Sequence, residues 1–229
     1  MLPQFFGLNR ESADTAARRS PLASGSMNPP RRAIDFYFDF SSPYSYIASE
    51  WIDALAARHG RTVEWHAMLL GATFQVTEIK SPVSYPLKRE YSLLDFERSA
   101  RFAGVPFKLP AVFPISTQNA ARIFWWLTST DPKRAVAWAR HALRALFARG
   151  VDLSDAASLR TLAGEFGIDP AQAEAVWNDP QWKAALKSAN DAAIACGVFG
   201  APYFVIDAEP FWGNDRRAQI ERWLEAGPF

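Results

Sequence analysis

A strand that breaks into a helix through Ser-Ser-Pro, at Ile34–Ala48 (IDFYFDFSSPYSYIA), constrains the fold of this chain more than any other stretch. Phe36, Phe38 and Phe40 alternate with Asp35, Tyr37 and Asp39, the period-2 pattern of a strand. Ser42 is a preferred N-cap, and Pro43 suits the first helical position, where its missing N–H is not needed. The spacing of Tyr44, Ile47, Ala48, Trp51 and Leu55 predicts the apolar face of a helix, with Gly60 as its stop after His59. A hydroxyl therefore sits at a strand-to-helix turn, where unpaired N–H groups and the helix dipole favour an anion. Two readings of Ser42 stand at this point: it only caps the helix, or the turn stabilises the thiolate of a bound thiol.

Composition narrows the classes of function. A net charge of +1 gives no reason to expect nucleic acid or an anionic membrane as a partner. Hydrophobic residues at 49% and charged residues at 21% describe an ordinary soluble globular protein with material for a core. The 9 Trp and 17 Phe suit a core or an aromatic substrate pocket equally. A single cysteine, Cys196, excludes an intrachain disulfide and a Cys-x-x-Cys pair, and fits a reducing, cytoplasmic compartment; no other role is assigned to it. No apolar run has the length of a membrane helix, and the three histidines are scattered without zinc-ligand spacing, so no metal is expected. His66 reads as a satisfied strand histidine without a neighbouring carboxylate.

Residues 1–32 are rich in Ser, Ala, Pro and Arg without sustained hydrophobic period, and read as a disordered extension. Met27, shortly before the first strand, is an alternative translation start to Met1. After the opening strand and helix, Arg61–Leu70 reads as a second strand ended by Gly71, completing a βαβ unit. Gly71–Pro86 reads as an irregular connection. Helices follow over Leu87–Ala103, from Ser116 or Thr117 to about Leu127, from Asp131 through Ala148, over Ser154–Phe166, Pro170–Trp177 and Pro180–Cys196. Tyr203–Ile206 and Pro210–Trp212 return as strands, and a last helix runs over Arg216–Ala226. The order is β-α-β, a helical block, then β-β-α. This predicts an α/β, thioredoxin-like fold carried by residues 33–75 and 180–229, with an inserted all-α domain at 76–179.

The stretches FDFSSPYSY, LLGATF, DFERSARFAGVPF, FGAPYFV and FWGNDR resemble, in this order, the 2-hydroxychromene-2-carboxylate isomerases. These are relatives of the kappa-class glutathione transferases in the DsbA-like thioredoxin superfamily. The resemblance covers about Ile34 to Leu224. Disulfide-handling relatives carry Cys-Pro-x-Cys where this chain has Ser42-Pro43-Tyr44-Ser45, so dithiol chemistry is impossible at this turn. The resemblance implies that Ser42 is the catalytic hydroxyl, with Ser41 and Ser45 as the alternatives, and that glutathione is the cofactor. A free thiol has a pKa of ~8.5, so a donated hydrogen bond and a helix N-terminus would raise its thiolate fraction at neutral pH.

By the same resemblance, Ala201-Pro202 is the cis-proline loop, whose backbone would pair with the cysteinyl backbone of glutathione. Trp212, Gly213, Asn214 and Asp215 would hold the γ-glutamyl end. On residues alone, Ala201-Pro202 is a β-entry turn, and Asn214 or Asp215 a cap. On the substrate side relatives often have Lys soon after the Leu-Leu-Gly turn, where this chain has Gln75; Lys88 and Arg89 are placed to supply the charge and Phe113 to line an aromatic pocket. The expected activity is isomerisation of 2-hydroxychromene-2-carboxylate or a similar aromatic oxo-acid in aromatic catabolism. The alternatives are a kappa-like glutathione transferase and a non-catalytic thioredoxin-like module that binds glutathione or a protein. A homodimer is an open expectation.

Overall fold

The computed structural model describes residues 33–229. The expectations for residues 1–32, including the start at Met27, lie outside the described residues. Four strands form one mixed sheet in the order β2-β1-β3-β4. They are β1 (Ile34–Phe38), β2 (Val63–Ala67), β3 (Tyr203–Ile206) and β4 (Glu209–Trp212). β1 pairs parallel with β2 and antiparallel with β3, and β4 pairs antiparallel with β3 at the edge. The reason β1 is central is visible at Phe36. It stands in register between Trp65 and Phe204, its ring centroid 4.8 Å and 5.3 Å from theirs, with no exposed surface. Residues Asp207 and Ala208 close the β3–β4 hairpin with φ of 53° and 73°, as the twist of a two-residue hairpin loop demands. Pro210 is tolerated because β4 is an edge strand.

Between β1 and β2 the sequence predicts one helix, but the chain folds as two, α1 (Pro43–Ser49) and α2 (Ile52–Arg58). The Ser49 hydroxyl donates to the Tyr46 carbonyl at 2.6 Å, the back-bonding that bends helices. Trp51 is then fixed by burial, by its ring against Phe204 at 5.4 Å and by its indole N–H on Asn214 Oδ1 at 2.8 Å. A second difference follows β2. The strand ends at Ala67, and Leu70–Thr77, expected as strand end and loop, forms helix α3 with Gly71 inside it. Its first donor is satisfied from elsewhere in the fold: Leu70 N–H bonds the Asp39 carboxylate at 2.6 Å.

The remaining helices are α4 (Lys88–Ala103), α5 (Gln118–Thr128), α6 (Pro132–Arg144), α7 (Ala156–Glu165), α8 (Pro170–Asn178), α9 (Pro180–Ala195) and α10 (Arg217–Ala226). Asp131, Asp155, Asp169 and Asp179 cap α6 to α9, each carboxylate accepting a backbone N–H of the first turn. A π-helical turn, Ala145–Arg149, extends α6 to Gly150, which has the left-handed φ of 75° that suits glycine. The sheet and the helices between β2 and β3 share one apolar core. Phe38 meets Phe124 of α5 at 5.4 Å, and Tyr46 of α1 meets Phe147 at 5.7 Å.

Asp39, buried at the end of β1, ties three segments together. Its carboxylate accepts the Ser41 N–H at 2.6 Å, the Leu70 N–H at 2.6 Å and the Thr117 hydroxyl at 3.1 Å. The serine turn, α3 and the entry to α5 are thereby held to one group. Burial pushes the Asp39 carboxyl up, against the pull of the Leu70, Ser41 and Thr117 donors. With its folded pKa raised, its contribution to stability is full below the unfolded value of about 3.9 and is lost as pH rises through the folded value. Denaturant titrations across that window are therefore expected to show the wild type losing more stability with rising pH than Asp39→Asn. Parallel pH profiles for the two proteins would contradict the assignment.

Candidate active site

Ser42 is the residue the fold brings to a decisive place. It caps α1, accepting the Ser45 N–H at 3.1 Å, and is 4% exposed. Its Oγ donates to the Ala201 carbonyl at 3.1 Å across 159 residues of chain, because β3 begins beside the end of β1 in the antiparallel register. The Ala201–Pro202 peptide is cis. Both alternatives to Ser42 can be placed. Ser45 is fully buried beneath the turn and its hydroxyl faces the Asp39 N–H at 3.4 Å, outside the cavity wall. Ser41 reaches the cavity, and its N–H is committed to Asp39.

The cavity has a volume of about 1140 Å³, above the ~300–1,000 Å³ usual for a drug-sized ligand. There is room for two small molecules side by side. One end is formed by the cis-proline loop and the segment after β4. Gly213 N–H donates to the Pro202 carbonyl at 3.0 Å, joining the two, and Trp51 fixes the Asn214 side chain. A Cβ on Gly200 would collide with the Trp212 indole, so glycine is what lets that ring lie close to the loop. Trp212 is 54% exposed and packs edge-on to Phe199 at 4.9 Å. Asp215 is exposed and bonds the Arg216 guanidinium. Ala201, Pro202, Trp212, Gly213, Asn214 and Asp215 thus share one wall with Ser42.

The other end is built by α3, α4 and the segment before α5. Phe113, preceding a second cis bond to Pro114, packs on Phe96 at 6.0 Å, and Phe96 packs on Tyr44 at 5.1 Å. Lys88 lines the cavity, its Nζ over the Tyr85 ring at 5.1 Å. Gln75 does not belong here. On α3 the cavity face carries Leu70, Gly71 and Phe74, and Gln75, turned about 100° from Phe74, is exposed outside the wall. Gln75 is expected as a substrate contact from the place where relatives often carry Lys, and the helical turn of α3 puts Phe74, not Gln75, on the cavity wall.

Residue-by-residue reading also misses Lys80, Tyr91, Asp95 and Arg216 of the wall. Asp95 accepts the Tyr44 hydroxyl at 2.5 Å. Both lie in stretches that carry the family resemblance, which is the one signal that marked them. Burial first, and then this bond to Asp95, pushes the Tyr44 phenol well above its ordinary value. His66 is a satisfied strand histidine, as expected, but the expected lack of a neighbouring carboxylate is corrected: Asp35, across the strand pair, meets its Nε2 at 2.8 Å. Asp35, Glu64 and His66 gather on the sheet, as His59, Glu221 and Glu225 do between α2 and α10, and none of these six lines the cavity.

Residues 33–225 match the family model of the DSBA-like thioredoxin domain. The chain is 31% identical over 195 residues to a 2-hydroxychromene-2-carboxylate isomerase of Sphingobium xenophagum, covering 84% of this chain and 98% of the relative. It is 26% identical over 200 residues to glutathione S-transferase kappa 1 of Caenorhabditis elegans, covering 82% and 88%. The solved structure of a 2-hydroxychromene-2-carboxylate isomerase superposes with a TM-score of 0.76 at 26% identity, over 84% of this chain and 94% of the other. The chain belongs to the DSBA-like thioredoxin family and, within it, to the family of the 2-hydroxychromene-2-carboxylate isomerases.

Proposed function

We propose that the cavity at Ser42 binds glutathione and that the protein is a glutathione-dependent isomerase of 2-hydroxychromene-2-carboxylate or a similar aromatic oxo-acid. The observation that carries this reading is the Ser42 hydroxyl, buried at the start of α1, 3.1 Å from the Ala201 carbonyl and open to a cavity with room for two ligands. The identity of 31% to a named isomerase, against 26% to a kappa-class transferase, supports isomerase over transferase.

Bound here, glutathione supplies a thiolate that adds reversibly to a conjugated double bond and allows rotation about it. The residues of the chain hold that anion in place. Ser42 turns its proton from the Ala201 carbonyl to the sulfur, a charge-assisted hydrogen bond. Burial of Ser42 keeps competing water away from it. The Ala201 backbone pairs with the cysteinyl backbone, and the Gly213–Pro202 bond keeps the two binding segments in register. Asp215 and Arg216 match a zwitterionic γ-glutamyl end, carboxylate to ammonium and guanidinium to carboxylate. Lys88, with Lys80, meets the substrate carboxylate, and Phe113 and Phe96 its ring. With one cysteine in the chain and none at the turn, a reducing, cytoplasmic setting suits this chemistry.

Three outcomes are expected. Glutathione is recovered intact after many turnovers of chromene carboxylate; its stoichiometric consumption would assign the protein to the transferases instead. Ser42→Ala lowers kcat/KM about 10- to 100-fold, the worth of one hydrogen bond to a charged group, and unchanged turnover would remove Ser42 from the mechanism. Gly200→Ala pushes the Trp212 indole off the loop and weakens glutathione binding several-fold by calorimetry, whereas wild-type affinity would show that this wall is not the glutathione site.

A further inference from the structure

The cavity holds a hydrogen-bonded phenol–carboxylate pair that the glutathione reading leaves without a task. Tyr44, on the first turn of α1 just after Ser42, donates to Asp95 Oδ2 of α4 at 2.5 Å. Asp95 Oδ1 takes the Arg98 guanidinium at 3.2 Å, and Oδ2 also faces the Ser99 hydroxyl at 3.4 Å. Its side chain keeps 23% of its surface exposed, and it lines the same cavity as Ser42. The neighbours are aromatic: Phe96 packs edge-on to both Tyr44 and Phe113. Setting a carboxylate into such a wall costs solvation, and the ring contact between Tyr44 and Phe96 already joins α1 to α4. An anion there repels the carboxylate of the substrate. It is suited to an O–H.

The proposed substrate carries such a group in both isomeric forms. The cyclic form has a hydroxyl on the hemiketal carbon, and the open form has a phenolic hydroxyl. Their interconversion moves one proton between two oxygens. We propose that Asp95 carries this proton, with Tyr44 as its positioning residue; the inference rests on the isomerase reading above. In ring opening the Asp95 carboxylate takes the hemiketal hydroxyl proton. The O–H electron pair forms the keto C=O, the bond from that carbon to the ring oxygen breaks, and its pair goes to the phenolate. Asp95 then returns the proton to the phenolate oxygen. Ring closure is the reverse. Proton and electrons balance without an oxidant or reductant.

Other charged and titratable groups face the pair. Lys88, Tyr91 and Arg98 lie on its own helix, and Asp215 and Arg216 approach from the segment before α10. The phenol of Tyr44, held up by burial and by Asp95, remains a donor across the working pH range. Two measurements test the assignment. The first is kcat with chromene carboxylate at saturating glutathione, set beside the KM for glutathione. Asp95→Asn, which can still accept from Tyr44, is expected to lower kcat about 100-fold or more, with the KM for glutathione unchanged. Tyr44→Phe, which removes the donor that orients the carboxylate, is expected to lower kcat with the KM for glutathione unchanged.

The second measurement needs no glutathione. Calorimetry is expected to show the wild type binding 2-hydroxycinnamate more tightly than 2-methoxycinnamate, and Asp95→Asn losing that preference. Wild-type turnover with Asp95→Asn unchanged in kcat and preference overturns the proton-carrier role alone. Absence of wild-type turnover overturns the isomerase reading and this role with it.

Discussion

The hydrogen bond from Ser42 to the Ala201 carbonyl is the interaction on which the rest of the site depends. It closes the turn after β1 onto the loop before β3, and it exists because β1 is the central strand with β3 antiparallel beside it. Everything else that gives the turn its chemistry is arranged around this contact. Pro43 starts α1, Asp39 holds the turn from below through the Ser41 N–H, and Gly213 ties the segment after β4 to Pro202. A hydroxyl that would be an ordinary cap on an isolated helix becomes buried and aimed at a cavity.

The cavity opens at the carboxyl ends of the parallel strands β1 and β2, where open α/β sheets bind their ligands. The helices between β2 and β3 supply the second half of it. They share a core with the sheet, on which Phe113 packs, and Phe96 and Asp95 are tied to α1 through Tyr44, by ring contact and by hydrogen bond. This division gives the two ends different character. The end near β4 offers backbone polar groups and a paired Asp215 and Arg216, suited to a peptide; the end at α4 offers rings, lysines and one carboxylate, suited to an aromatic acid.

What was legible in the sequence is what local physics decides. The alternation of Phe36, Phe38 and Phe40, the Ser42-Pro43 start and the Asp-Pro starts of α6 and α8 each specify structure within a few residues. The hydrophobic strand at Tyr203–Ile206 with Trp212-Gly213-Asn214 after it did the same for the C-terminal half. What was hidden is decided across the fold. The Leu70 N–H finds its acceptor on Asp39, which turns an expected loop into α3 and swings Gln75 outward. Trp51 is pinned by Asn214 and Phe204, and an expected single helix becomes two. Asp35 meets His66 through strand pairing, and Asp95 meets Tyr44 across two helices, with no spacing in the chain to announce either. Family resemblance could mark the stretches that contain Tyr44 and Asp95, but their pairing is a property of the folded cavity.

Ser42 caps α1 where disulfide-handling relatives carry a cysteine pair, and its proposed role is to hold the thiolate of bound glutathione. The most direct test is a titration of the ultraviolet thiolate absorbance of glutathione bound to the protein. The account predicts that the bound thiol ionises below the ~8.5 of a free thiol, and that Ser42→Ala returns it toward that value. A bound thiol that ionises at or above the free value, or that is indifferent to Ser42, would contradict it.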